Sequence, residues 1–410
     1  MDELFSIKQK YNLEKPIHKM DFIRYSPSSL ATINNVNSVI TISIPREDAY
    51  VCLQNSYLSV EFEVLKNDDT RYVNNNEIGL VNLGPVALFS EAKLNTSSGK
   101  HLEKVDNLHP ISLMWKLLTS TKGTSELMYG FEEDQTIRRR ELTNNKTEKG
   151  TYFSRIKLTD LFGFADQEKI TYGLGYCLTL KRNNNNDPII RTAATDAAKV
   201  VIKDVCWYIP HYTPSTPNQK TVMEQLLNKE PTELFYTERT VFRKDVNTNN
   251  NWTFELGTIS DTTPTWVIVG FQNRNKHDSQ TNDNSTFDRL PISSAVCRIG
   301  SECYPDHGIN CDYDRDNYHE VYYEIDNFFK HHTQTNVLNA YIDLQKFRTN
   351  FNFYVFDISK QKEHFSSQPI RLEFKFSAAI DVADYTAFAL VLSPRLISIS
   401  SDGQRHFDLL

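Results

Sequence analysis

The sequence is short of glycine, of paired cysteines and of long apolar runs. Glycine supplies 14 of 410 residues, about half its usual share, so other residues must make most of the turns. The six cysteines include no C-x-x-C pair, which excludes the common zinc ribbons and thiol redox motifs. No apolar run approaches the roughly 20 residues that a membrane-spanning helix needs.

A surplus of basic residues is also missing. Lysine and arginine total 45 against 52 aspartate and glutamate residues, a net charge of −7. A protein that grips nucleic acid along its surface carries the opposite balance, so we expect little direct contact with nucleic acid. Residues Met1 to Phe5 do not begin a basic and then apolar secretory signal. This predicts a protein made in the cytosol with reduced cysteines.

Signatures of the common enzyme classes are absent too. The sequence contains no G-x-S-x-G, no H-E-x-x-H, no Walker lysine loop and no G-x-G-x-x-G motif. We therefore predict a protein that is not an enzyme, with no catalytic residue, no cofactor-binding residue and no metal ligand.

The pattern that is present is typical of an all-β protein. Apolar and polar residues alternate along Ile40 to Ile44, Leu58 to Val64 and Leu372 to Phe376, so each run buries one face as a strand. Val200 to Ile209 and Thr386 to Ile399 are apolar on both faces, as expected of strands covered on two sides. Asparagine clusters separate such runs and favour turns. Many short apolar runs between polar loops predict an all-β fold.

Two short stretches have helical spacing instead. Pro110 suits the first turn of one helix, and Asp316 or Asn317 caps the other. Their apolar positions are Ile111, Met114, Trp115 and Leu118 in the first helix and Val321, Ile325, Phe328 and Phe329 in the second.

The order of these elements repeats along the chain. Strands, a helix, two further strands and a long final strand occur once before the Pro-rich stretch His211 to Pro217 and once after it. A repeated order of elements predicts two similar β domains in tandem. We place an N-terminal arm at 1–34, a first β domain at 35–212, a linker with a short helix at 213–234, a second β domain at 235–400 and a C-terminal tail at 401–410.

One acidic loop resembles the start of a calcium-binding loop. Asp312, Asp314 and Asp316 place carboxylates at positions 1, 3 and 5 of such a loop. Position 6 is Asn317 rather than glycine, and position 12 is Tyr323 rather than glutamate. We favour an acidic loop that caps the following helix.

A second group of candidate metal ligands lies nearby. Cys303 and Cys311 have a C-x7-C spacing that matches no standard structural zinc site, with His307 between them. His319 begins an H-E pair, but Tyr323 occupies the position of the second histidine of a zinc helix. We predict buried or loop residues here rather than metal ligands.

Two further features carry charge. His331 and His332 end the second helix, where histidine interacts with the helix dipole, and a pH sensor is the alternative interpretation. Arg138, Arg139 and Arg140 are flanked by acids and lack interleaved aromatics. They predict a solvated or subunit-facing loop rather than a nucleic-acid patch.

A set of short stretches stands in a fixed order along the two halves. They are Leu158 to Phe164, Tyr172 to Asn183 and Val201 to Pro210 in the first half, and Trp266 to Gln272, Phe287–Asp288, Tyr304–Pro305, Phe356 to Gln361 and Ile370 to Phe376 in the second. In this order they resemble the hexon-like, double jelly-roll major capsid proteins of the Polinton/Maverick and adintovirus kind. The resemblance spans roughly residues 35–400.

The resemblance implies an all-β fold with a few short helices, in which two eight-stranded antiparallel jelly-roll sandwiches stand in tandem. It implies a homotrimer that forms a pseudo-hexagonal capsomer and tiles an icosahedral shell around double-stranded DNA. The implied partners are neighbouring capsomers, a penton protein at the vertices and minor or cement proteins under the shell. The implied location is the virion, after synthesis in the host cytoplasm and assembly in the host nucleus or cytoplasm.

On this interpretation two sets of residues have assembly roles. Phe328, Phe329 and Tyr354 are expected at the surface, as apolar contacts between subunits of the trimer. The loops Asn183 to Thr195 and Asn273 to Leu290 are expected to form outer towers.

Two alternatives stay open at this point. The chain could be a secreted two-jelly-roll glycan-binding or glycan-amidase protein, with paired carboxylates or a calcium site. The candidates for such a site are Asp312, Asp314, Asp316 and Glu324. The chain could also be a capsid-like protein retained by a host.

Overall fold

The computed structural model describes most of the chain. The described residues are 16–29, 32–72, 76–124, 131–132, 134–135, 151–228, 232–246, 250–257, 263–333, 340–361, 368–378, 384–401 and 407–409.

Strands, with short helices among them, make up the described part of the first half. Its strands are β1 (Ile17–Tyr25), β2 (Val39–Ile44), β3 (Tyr50–Val51), β4 (Tyr57–Lys66), β5 (Ile78–Leu80), β6 (Phe89–Thr96), β7 (His101–Asp106), β8 (Thr151–Lys157), β9 (Thr171–Tyr172), β10 (Tyr176–Arg182), β11 (Ile189–Arg191) and β12 (Ala198–Pro214). Its helices are α1 (Gly84–Ala87), α2 (Leu108–Thr119) and α3 (Leu158–Leu161).

A connecting helix, α4 (Thr216–Asn228), leads into the second half. The strands that follow are β13 (Thr232–Asp245), β14 (Asn251–Glu255), β15 (Trp266–Asn273), β16 (Ile292–Ile299), β17 (Glu302–Asn310), β18 (Phe353–Asp357), β19 (Ile370–Phe376), β20 (Tyr385–Ser401) and β21 (Phe407–Leu409). The helices are α5 (His319–Thr333) and α6 (Leu344–Thr349).

Each half contains two packed antiparallel sheets, each built on four main strands; β3 and β9 extend one sheet of the first half, β21 extends one sheet of the second, and β5 pairs with β11 separately. In the first half the strand orders are β8-β4-β12-β1 and β2-β10-β6-β7, and in the second they are β18-β15-β20-β13 and β17-β16-β19-β14. In chain order, the eight main strands of the second half are β13 to β20, and those of the first half are β1, β2, β4, β6, β7, β8, β10 and β12. Each strand of the second half occupies the same place in its sheet as its counterpart in the first. This arrangement is the eight-stranded jelly roll, so the predicted pair of tandem sandwiches is confirmed.

Alternating burial shows why these segments form strands. Along β4 the residues Leu58, Val60, Phe62 and Val64 are buried, while their neighbours are partly exposed. β15 is buried on both faces from Trp266 to Gln272, because α5 also packs against this side of the sandwich: the rings of Trp266 and Phe328 are 5.2 Å apart. The expected one-faced and two-faced strands are both present.

Both predicted helices are present, but the surface position predicted for three aromatic residues is wrong. Phe328, Phe329 and Tyr354 are 0%, 2% and 0% exposed. Phe328 lies between Trp266 of its own half and Trp115 of α2, at ring distances of 5.2 and 6.2 Å. The apolar stripe of α5 is therefore covered within the chain and is unavailable to another subunit.

The ends of the two sandwiches differ from the predicted segments. Residues 17–25, inside the segment predicted as an arm, form β1 and pair antiparallel with β12. β13 begins at Thr232, inside the segment predicted as a linker, and α4 is the short helix of that linker. Most of β1 is exposed on both faces, so its sequence lacks the alternation by which the other strands were recognised.

A buried carboxylate joins the two sandwiches. Glu103, in β7 of the first half, is fully buried. Its oxygens accept hydrogen bonds from the backbone N–H groups of Gly163 at 3.1 Å, Phe164 at 2.8 Å and Arg239 at 3.0 Å. Because Arg239 belongs to β13 of the second half, this one side chain connects both sandwiches.

The Arg239 side chain in turn contacts residues of the first half. Its guanidinium donates to the Thr159 carbonyl at 3.0 Å and to Asp166 at 2.6 Å. It also lies 4.1 Å from the centre of the Trp115 ring in α2. A buried cation needs such partners to offset its lost hydration, so the sequence on both sides of the junction is constrained.

The closest backbone approach at this junction predicts a sensitive glycine. A Cβ atom on Gly163 would lie 1.8 Å from the Thr237 carbonyl oxygen of β13. Gly163→Ala should therefore lower the free energy of unfolding by about 1–3 kcal/mol, measured by urea denaturation. Gly123→Ala is the control, since a Cβ there meets no described atom within 4 Å. Equal stability of the two variants would contradict this packing.

The charge of Glu103 should make stability fall with rising pH. Burial raises the pKa of Glu103 to about 7, so the folded protein keeps a proton that the unfolded chain releases near pH 4.3. The free energy of unfolding should decrease across this window, by on the order of 3 kcal/mol. Glu103→Gln should remove that decrease, measured by urea denaturation between about pH 5 and 8.

His332 has the opposite effect on the pH dependence of stability. Burial lowers its pKa to about 4, so as the pH falls the unfolded chain binds a proton before the folded protein does. Its contribution is present in both proteins, so the difference between wild type and Glu103→Gln isolates Glu103. Identical pH dependence of the two proteins would refute the assignment.

Candidate functional site

The acidic loop is held by its own contacts. Asp312 accepts hydrogen bonds from the backbone N–H groups of Asp314 and Arg315, both at 3.2 Å, and so caps the short turn before α5. Asp316 pairs with Arg348 at 2.6 Å. Glu324 lies farther along α5, where burial raises its pKa. Among the described residues, no group of three or more His, Cys, Asp or Glu side chains is placed to hold a metal ion.

The cysteine and histidine candidates near this loop do not converge. The Cys311 thiol is buried and donates to the Ile292 carbonyl at 2.8 Å, and burial raises its pKa to about 11. Cys303 instead accepts from Arg298 at 2.8 Å, and His307 is exposed. All six cysteines are free thiols. These residues have separate packing roles.

The histidines at the end of α5 pack against aromatic rings. His332 lies 3.1 Å from the Phe328 carbonyl and 5.5 Å from the Trp115 ring centre. Burial lowers its pKa to about 4, so here the loss of hydration outweighs the helix dipole. The basic cluster Arg138 to Arg140 lies outside the described residues.

The two loops predicted as towers, 183–195 and 273–290, form one unit. Asp187 accepts from the backbone N–H of Asp278 at 2.8 Å, and Asn186 donates to the Asp278 carboxylate at 2.7 Å. Arg191 donates to the side chain of Gln280 at 2.9 Å. The first loop comes from the first sandwich and the second from the other, so these asparagine-rich segments are a polar seam between the halves.

Gln280 is the central residue of this seam. It is 6% exposed. Its side-chain oxygen accepts from Arg191 and from the Ala198 N–H, both at 2.9 Å, while its nitrogen donates to the Ala198 carbonyl at 2.6 Å. The side-chain amide of Gln280, in the second half, thus pairs with both backbone groups of Ala198 at the start of β12 in the first half. The sequence gives no sign of this, because a polar run between strands looks the same whether it is exposed or packed.

An exposed apolar pair lies on the second sandwich. Phe235 of β13 and Leu396 of β20 are paired across the two strands and are 62% and 56% exposed. Their neighbours Leu234 and Tyr236 are buried, so this end of β13 is apolar on both faces with only one face covered. We call Phe235 and Leu396 the second-half patch.

The first sandwich has an aromatic surface at the corresponding strands. Phe22 of β1 lies 5.7 Å from Tyr57, whose ring stacks on Tyr208 at 5.1 Å. Arg155 lies 4.8 Å from the Tyr57 ring centre, and Phe22 is 43% exposed. We call Phe22, Tyr57 and Tyr208 the first-half patch. β1 and β12 occupy the same places in their sheet as β13 and β20, so both patches lie near equivalent strand pairs.

No helix among the described residues is long and apolar enough to cross a membrane.

Comparison with known proteins identifies a domain over most of the chain. Residues 113–397 match the family model described as a double jelly roll-like domain. No curated protein matches the sequence.

Solved structures resemble the chain over its full length. A quasi-atomic model of the PBCV-1 virus capsid covers 98% of both chains at 10% identity, with a TM-score of 0.55. The crystal structure of the mavirus major capsid protein covers 100% of this chain and 93% of that one at 12% identity, with a TM-score of 0.54. At these identities the likeness concerns the fold.

The seam between the loops should open locally when Gln280 is shortened. Gln280→Ala removes the side-chain partner of the buried Ala198 backbone and should cost about 1–3 kcal/mol. We expect faster amide hydrogen exchange in 183–198 and 273–290, measured by mass spectrometry. Asn275→Ala, at an exposed position in the same loop, should leave exchange unchanged. Equal exchange in the two variants would argue against a central role for Gln280.

Proposed function

The chain belongs to the family of proteins with a double jelly roll-like domain, and from this premise we propose that it is a viral major capsid protein. The observation that carries the proposal is the pair of topologically equivalent sandwiches in one chain, in the same fold as capsid chains over the full length. Its work is structural rather than catalytic. The finer assignment is the Polinton and adintovirus kind, with double-stranded DNA inside the shell.

Three copies of a chain with two equivalent sandwiches place six similar wedges around one axis. The resulting pseudo-hexagonal capsomer can tile a flat facet with neighbouring capsomers. A five-fold vertex does not accept a six-part tile, which is why a separate penton protein is part of the proposal. Minor or cement proteins under the shell, location in the virion and assembly in the host nucleus or cytoplasm complete it.

A closed trimer uses a head-to-tail interface, in which two different surfaces of the same chain meet. The chain has two such surfaces, the first-half patch and the second-half patch, one on each sandwich. Both expose apolar side chains, Phe22 in the first-half patch and Phe235 and Leu396 in the second-half patch. We assign the contact between subunits to these patches, in place of the buried residues Phe328, Phe329 and Tyr354. The loop unit of 183–195 and 273–290 is assigned to the outer surface.

The oligomeric state tests the proposal first. Light scattering behind gel filtration should give the mass of three chains, and negative-stain images of the same peak should show pseudo-hexagonal particles. A protein that stays monomeric at all concentrations, with no such particles, would overturn the trimeric capsomer.

A charge in the second-half patch should break the trimer. Phe235→Glu places a carboxylate in an apolar contact, where it loses hydration without gaining a partner. We expect association to weaken at least about tenfold, seen as a shift to monomer mass at equal protein concentration. Phe235→Leu keeps the apolar surface and should remain trimeric. Trimers of normal stability in Phe235→Glu would exclude this patch from the interface.

A further inference from the structure

An apolar groove of about 280 Å³ lies where the described chain begins. Residues of the first half, of α4 and of the second half line it, among them Ile17, Ile170, Pro214, Val222 and Ile399. Ile170 is 39% exposed, and Ile17 and Val222 are half-buried, so the wall of the groove can be reached from outside. The volume lies just below the range of small-molecule sites, which suits a few side chains rather than a folded partner.

The groove offers little to a charged or polar ligand. No lysine, arginine, histidine, aspartate or glutamate is among the described residues that line it. The Thr171 hydroxyl already donates to the Val51 carbonyl at 3.2 Å, and the Asn218 side-chain nitrogen donates to the Pro16 carbonyl at 3.1 Å. Apolar side chains therefore gain most from this groove, since it removes their surface from water.

The start of the described chain is fixed at the rim of the groove. The Pro16 carbonyl accepts hydrogen bonds from the backbone N–H of Ser215 at 3.0 Å and from the Asn218 side chain at 3.1 Å. Pro16 itself lines the groove. The residues that precede Pro16 in the chain therefore start beside the groove.

Fifteen residues precede Pro16 and lie outside the described part of the chain. They include two apolar pairs at a spacing of two, Phe5 with Ile7 and Tyr11 with Leu13. In an extended segment the two side chains of such a pair share one face. Leu13 lies within about 11 Å of Pro16 along the backbone, and Tyr11 within about 18 Å. This nearer pair reaches the groove with the shorter loop to close.

We propose that Tyr11 and Leu13 of the chain's own N-terminal segment occupy this groove. The competing occupants are the same segment of a second copy and a separate apolar molecule. A segment tethered at the rim has an effective concentration of about a millimolar or more, which favours it over both. The occupied groove joins the N-terminal segment to α4 and to Ile399 of the second half, a role separate from capsomer formation.

Photo-crosslinking of the full-length protein tests the proposal. Ile170→p-benzoylphenylalanine and Val222→p-benzoylphenylalanine each place the photoreactive group at the groove, so the test does not depend on one variant folding. Irradiation and peptide mass spectrometry should give crosslinks to residues 1–15 from both positions, in a product that runs as a single chain in a denaturing gel. Phe153→p-benzoylphenylalanine is the control, at a position that is exposed on β8 and does not line the groove. It should give no crosslink to 1–15.

Charges at the two anchor positions should empty the groove. Added to the Ile170→p-benzoylphenylalanine protein, Tyr11→Glu with Leu13→Glu would bury two carboxylates without partners. Crosslinking to 1–15 should therefore fall at least about tenfold. Ser6→Glu with Gln9→Glu adds the same charge at polar positions of the same segment and should leave crosslinking unchanged.

Three results would overturn the proposal. A crosslinked product of two chains would assign the groove to a second copy, and absence of crosslinks to 1–15 from both groove positions would assign it to another occupant. Unchanged crosslinking after Tyr11→Glu with Leu13→Glu would exclude these residues as anchors. A crosslink within one chain does not require association, so the outcome is independent of whether the protein forms trimers.

Discussion

The contact between Glu103 and Arg239 fixes how the two sandwiches sit against each other. Both residues are buried; Glu103 accepts from the Arg239 N–H of the second half, and the Arg239 side chain donates to the Thr159 carbonyl of the first. Buried charges are costly unless geometry and hydrogen bonding are good, so the junction permits few orientations. The positions of the first-half and second-half patches relative to each other follow from that orientation.

The sequence allowed the core strands and both main helices to be predicted, because each buries a regular apolar face. β4 and α2 are clear cases. β1 could not be found this way, since it lies at a sheet edge with both faces largely exposed. β16 and β17 were also not predicted. β17 carries Pro305 and Gly308 in its interior, and these residues usually mark the end of a strand.

The functional surfaces were harder to predict than the fold, for a related reason. An apolar stripe such as that of α5 shows that something covers it, but not whether the covering residues belong to the same chain. Phe328 was therefore predicted to contact another subunit, whereas residues of its own chain cover it. The spacing of Asp312 and Asp316 resembles part of a calcium loop, and the capping role was favoured over it; their actual partners, a backbone turn and Arg348, are not evident from local spacing.

The strand order has a consequence for synthesis of the chain. In each half the last long strand, β12 or β20, lies inside its sheet, between two strands that are both made before it. β1 pairs with residues 207–214, so the ribosome must deliver almost the whole first half before the first sheet can close. Until then β1 and β4 present open edges, which are sites of aggregation. Nascent chains should therefore depend on chaperones during translation more than the finished fold suggests.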